Sequence, residues 1–173
     1  TALIIVGAYL KIPIGPVPIV LANFFVILAG ALLGPRWAAS SVALYLLFGV
    51  VGLPVFAGGG GLAYLTGPTG GFLIGYLPAA VVTGLVSSRT KSSLIAVIGL
   101  ITGSLTIYLF GVPWLAYSLK KTLIESISIG MLPFLIGDGI KIVGAFSIMI
   151  LLMKRYPEFF LSRSDTVEND EPS

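Results

Sequence analysis

The chain is built of long apolar runs broken by short stretches of glycine, proline or charge. The first run, residues 1–10, is read as the outer half of a span whose beginning lies upstream of Thr1. It carries no cleavage-type end of the kind a trimmed signal peptide leaves. Residues 11–18, KIPIGPVP, hold three prolines and a glycine, which no helix continues through. Further spans are predicted over 19–33, stopped by Gly34-Pro35-Arg36, and over 37–53, closed by Pro54. A loop at 55–70 contains the glycines 58–61 and then GPTGG. Spans follow at 71–86, at 94–112 (closed by Pro113) and at 131–153. SSRTKSS, residues 87–93, is the clearest polar turn. Residues 114–130 are mixed, and the C-terminus ends in the polar run DTVENDEPS.

Composition supports a membrane reading of this pattern. The 173 residues are 57% hydrophobic and 10% charged, against about 25% charged in ordinary soluble domains. Mean hydropathy is +1.06. A spanning helix needs roughly 20 residues, so the length accommodates about six spans with short loops. The expected fold is an all-α membrane protein: a compact bundle of six transmembrane helices with a ligand pocket near the outer face. Residues 1–156 form the membrane domain and 157–173 a polar cytoplasmic tail. Cys and His are absent, which removes disulfides, the usual zinc sites and any Cys or His nucleophile or base. Net charge is +3, and basic residues here read as orientation signals rather than a nucleic-acid surface.

With about six spans both termini share one side. That side collects Arg36, Arg89, Lys91, Lys154, Arg155 and Arg163, against Lys11, Lys120 and Lys121 opposite. The excess places both termini in the cytoplasm of a multi-pass cell-membrane protein. Odd spans end outward at Pro13, Pro54 and Pro113, and the outer loops are long, apolar and rich in Gly and Pro. Irregular backbone at membrane depth is tolerated only where protein buries it or a cavity hydrates it. A pocket is therefore expected in the outer half.

Asp138 and Lys141 are the most informative pair. They lie in LPFLIGDGIKIVGAF, flanked by apolar residues. An intramembrane charge costs on the order of 2.5–3.5 kcal/mol on insertion scales and marks a functional site by default. At i, i+3 the two share one helix face and present a carboxylate acceptor and an ammonium donor together; a purely structural ion pair is the alternative. Asn23 and Tyr45 are polar groups on spans 2 and 3. Phe56, Tyr64 and Tyr76 crowd the glycine loops and can stack on an apolar ligand. GPTGG, with Gly67 and Thr69, lacks the Lys-Ser/Thr of a phosphate loop and reads as a tight turn at a pocket mouth. The pairs Gly30/Gly34, Gly71/Gly75, Ala80/Gly84 and Gly99/Gly103 let helices approach closely. No hydrolytic constellation is present, so an enzyme is not expected.

Taken in order, GPVPI, LLGPRW, GLPVFAGG, GPTGGFLIGY and LPFLIGDGIK resemble the BioY family, the biotin-binding S components of energy-coupling factor (ECF) transporters. The resemblance covers nearly the whole chain apart from the tail. It implies a six-helix fold that binds biotin near the outer face. The loop between the first two helices, with Ile12, Pro13 and Ile14, would be the lid. Asp138 and Lys141 match the G-D-x-x-K motif, and residues 56–69 match the ligand-contacting loop. Asp138 would accept from a ureido N–H, and Lys141 would donate to the ureido carbonyl or to the valerate carboxylate. The implied partners are biotin, a membrane T component, a pair of cytosolic ATPases and the bilayer; no cofactor is implied. Two departures stand out. Ala22, followed by Asn23, occupies a position where many members carry Gln. No Arg lies in the 55–70 loop or the outer half of span 4 to meet the ligand carboxylate. An S component for another small vitamin, a proton-coupled secondary carrier working through Asp138 and a ligand-free membrane protein are the alternatives.

Overall fold

The computed structural model describes residues 1–13, 16–88, 90 and 92–155. Within these the chain is almost entirely helical. A short helix α1 (Ala2–Tyr9) leads into a two-residue strand, β1 (Lys11–Ile12), paired antiparallel with β2 (Ile19–Val20). There follow α2 (Ala22–Val50), a single turn α3 (Leu62–Leu65), α4 (Gly70–Ser87), α5 (Ser93–Leu119), α6 (Leu123–Gly130) and α7 (Leu132–Arg155). Four helices, α2, α4, α5 and α7, are long and apolar enough to cross a membrane.

The predicted stop at Gly34-Pro35 is a break inside α2. Gly34 adopts φ 78, ψ 173, a conformation that glycine reaches without the penalty a Cβ imposes. It divides α2 into two limbs. Gly84 of α4 meets this break so closely that a Cβ on it would stand 2.5 Å from the Pro35 nitrogen.

α4 is the central helix and packs most extensively against α2 and α5. The small-residue pairs make this possible, because in an apolar solvent helices associate by close van der Waals contact. A Cβ on Gly71 would lie 2.2 Å from Trp114 Cβ, one on Gly103 1.8 Å from Thr83 Oγ1, and one on Gly30 2.8 Å from the Ala80 carbonyl. These glycines serve packing within the chain.

Two expectations are corrected. Pro113 does not end the fifth span: α5 continues through it to Leu119 and closes at Lys120, in the left-handed conformation with φ 53. The mixed stretch after it contains a second helix. Thr122 and Glu125 form a reciprocal capping box at the start of α6, satisfying two backbone donors. The Thr122 backbone N–H and then its hydroxyl, both donating to Glu125, hold that carboxyl below its usual range.

α7 is the least covered span. It turns Phe134, Asp138, Ala145 and Met149 inward, while Ile136, Ile140 and Val143 face out. Lys141 falls on the inward stripe, because steps of three and four residues return to the same helix face.

Candidate ligand-binding site

At one end of the bundle the helices diverge around a cavity. It contains about 640 Å³ of empty space, part of it open to solvent. Every long helix lines it. α2 contributes Asn23 near its start and Tyr45 near its end. α4 contributes Phe72 and Tyr76, α5 contributes Ser104 and Tyr108, and α7 contributes Asp138 and Lys141. The hairpin and the loop after α2 complete the wall with Val17, Val20 and Ala57.

The polar centre is a closed set of hydrogen bonds. Asp138 is 4% exposed. Its Oδ1 accepts from Asn23 Nδ2 at 3.0 Å and from Lys141 Nζ at 3.2 Å. Its Oδ2 accepts from the Tyr108 hydroxyl. Lys141 also donates to Asn23 Oδ1 and to the Val20 carbonyl, each at 2.9 Å. An ammonium has three donors, and all three have oxygen partners here. A carboxylate has about four lone-pair positions; three are occupied. The arrangement orients the Asp138 carboxyl group and leaves it one acceptor position for an N–H from the cavity. Burying an ion is tolerable only with such pairing.

Around this centre the walls are aromatic. Phe56, fully buried, packs edge-on to Tyr45 and stacks on Tyr64, both with centroids 5.4 Å apart. Gly49 leaves space for the Phe56 ring, since a Cβ there would sit 1.8 Å from Phe56 Cζ. Tyr108 packs edge-on to Phe72.

Asn23, Tyr45, Tyr64, Thr69, Asp138 and Lys141 thus converge on the cavity. Phe56 and Gly67 do not line it. Phe56 backs two of the wall aromatics, and the Gly67 carbonyl accepts from Trp114 Nε1 at 2.9 Å, fixing the turn before α4. Of the lid residues, Ile12 is 60% exposed, and neither it nor Pro13 lines the cavity. Ile14 lies outside the described residues. Val17, 6% exposed, and Pro18 from the same segment do line the cavity. Sequence reasoning missed Tyr108. The available signal was a phenol inside an apolar run, four positions after Ser104, since a buried hydroxyl needs a partner.

Known proteins resemble this chain over most of its length. The BioY family model matches residues 1–158. The biotin transporter BioY of Thermotoga maritima is 42% identical over 155 residues, covering 89% of this chain and 91% of its own. A probable biotin transporter BioY of Pyrococcus horikoshii is 42% identical over 141 residues, covering 81% and 83%. Among solved structures, the S component for biotin from an ECF-type ABC transporter superposes with a TM-score of 0.80 at 35% identity, covering 88% of this chain and 86% of that one. A family match of this extent, on a chain whose aspartate and lysine meet inside a helical-bundle cavity, makes this protein a member of the BioY family.

Proposed function

We propose that the chain captures biotin as the substrate-specific membrane subunit of an ATP-driven ECF-type transporter. The observation that carries this reading is the buried Asp138–Asn23–Lys141–Tyr108 set at the wall of an aromatic cavity. The ureido ring of biotin offers two N–H donors and one carbonyl, and Asp138 retains an acceptor position for one N–H. Lys141 stands beside it, its three donors holding Asp138, Asn23 and the Val20 carbonyl in place. Tyr45, Tyr64, Phe72 and Tyr76 supply apolar walls for the bicyclic ring and the aliphatic chain, with Thr69 at the turn before α4. Phe56 and Gly67 support these walls from behind.

In this reading the membrane domain is 1–156 and the polar tail 157–173. The six spans are α1, the two limbs of α2, α4, α5 and α7. The cavity opens at the end of the bundle holding Lys11 and Lys120. The opposite end holds Arg36, Lys154 and Arg155, and the positive-inside rule makes that end cytoplasmic. The pocket then faces outward and both termini face inward. Energy comes from a membrane T component and a cytosolic ATPase pair.

Equilibrium binding of radiolabelled biotin to the detergent-purified chain, with riboflavin and thiamine as competitors, tests the reading. Saturable binding displaced by unlabelled biotin alone is expected. Absence of binding by folded protein, or displacement by another vitamin, overturns it.

A further inference from the structure

Biotin carries its carboxylate at the far end of its aliphatic chain, remote from the ureido ring. Asp138 and Lys141 are committed to one another, and no arginine among the described residues lines the cavity. The donors of Lys141 already have three oxygen partners. Another cation stands at the rim. Lys11 Nζ donates to the carbonyl of Ala57, which is a wall residue of the cavity. Lys11 is also paired with Val20 across the hairpin, and directly opposed residues in an antiparallel pair project to the same side. Val20 is itself a wall residue. Two independent contacts thus place the Lys11 stem along the cavity edge. The Tyr9 hydroxyl donates to the Pro54 carbonyl and holds the adjoining backbone on the same loop.

A hydroxyl is present at the same place. Tyr64 lines the cavity, and a Cβ built on Gly58, next to Ala57, would stand 3.2 Å from the Tyr64 oxygen. The ammonium of Lys11 and the hydroxyl of Tyr64 both sit against residues 57–58.

We propose that Lys11, with the Tyr64 hydroxyl beside it, binds the carboxylate of the ligand. The assignment rests on biotin being that ligand. Without ligand the ammonium is satisfied by a neutral carbonyl; with ligand it exchanges that oxygen for a carboxylate, a stronger, charge-assisted partner.

The test compares biotin with biotinamide, which keeps the ring and chain but has no negative charge. Affinities are measured by equilibrium dialysis on the full chain, as wild type, Lys11→Met and Lys11→Arg. Wild type should prefer biotin. Lys11→Met should weaken biotin about tenfold or more, as expected for loss of a hydrogen bond to a charged group. Biotinamide affinity should stay unchanged, and Lys11→Arg should keep most of the preference for biotin. Tyr64→Phe should lower the same preference by a smaller factor. Equal weakening of both ligands by Lys11→Met, or no weakening of biotin, overturns the assignment of Lys11. If wild type binds neither ligand, the biotin reading itself falls.

Discussion

Lys141 donates to the backbone carbonyl of Val20 at 2.9 Å, across 121 positions of the chain. This bond joins the inward face of α7 to the second strand of the hairpin that borders the cavity. The residue that neutralises Asp138 therefore also registers the hairpin against the pocket. Loss of its ammonium would affect both the charge set and the border.

Asp138→Asn removes the charge and turns one acceptor oxygen into a donor facing Lys141 or Tyr108. Replacing one partner of a buried charged network costs about 1–3 kcal/mol or more, so biotin affinity should fall at least about tenfold. Tyr108→Phe keeps the ring against Phe72 and removes only the bond to Oδ2. A smaller loss, about threefold to tenfold, is expected. In the Asp138→Asn background the Tyr108→Phe change should have little further effect, because contacting residues are non-additive. Isothermal titration of the four proteins checks this. Fully additive losses would show that Tyr108 acts elsewhere.

Val17 and Ile12 share one loop and differ in placement. Val17 is buried in the cavity wall, whereas Ile12 is 60% exposed and off it. Val17→Ala should raise the biotin off-rate severalfold, with the on-rate nearly unchanged, since interface mutations act mostly on dissociation. Ile12→Ala should leave it near wild type. Filter-binding dissociation curves distinguish the two. Equal off-rates in both variants would show that Val17 does not hold the ligand in the cavity.

Gly71→Leu places a side chain where a Cβ already stands 2.2 Å from Trp114 Cβ and 2.7 Å from the Phe110 carbonyl. Overpacking of a rigid helix crossing costs about 1–3 kcal/mol or more, with α4 forced from α5. Gly137→Ala is the control: a Cβ there meets nothing within 4 Å, and alanine improves helix propensity. Thermal unfolding in detergent should show a clear loss of Tm for the first and none for the second.

The spans at 71–86 and 131–153 correspond to α4 (Gly70–Ser87) and α7 (Leu132–Arg155). Both are long apolar runs with clear boundaries, and hydropathy is a local property of the chain. Asp138 and Lys141 were visible for the same reason: a charge inside an apolar run is conspicuous wherever the run folds. Their spacing alone placed them on one face.

The other partners were not legible. Asn23 and Tyr108 meet Asp138 from 115 and 30 positions away, and nothing local marks either as its partner. Their meeting depends on how α2, α5 and α7 lie around α4. That in turn depends on glycines whose missing Cβ atoms set the distance of approach. The break at Gly34 was legible as a Gly-Pro stop, but its docking on Gly84 was not. The continuation of α5 through Pro113 ran against the usual preference of proline for helix starts, and tertiary packing overrode it. In the loop before β2, Val17 lines the cavity while Ile12 is exposed and does not, a difference that the spacing of apolar residues along the chain does not show. The apolar spans, their polar breaks and the aspartate–lysine pair are readable along the chain, because they rest on composition and on periodicity along one helix. Which phenol, amide and carbonyl satisfy that pair is set by the packing of the helices, because a hydrogen bond needs atoms within about 3 Å, and helix crossings alone bring distant residues that close.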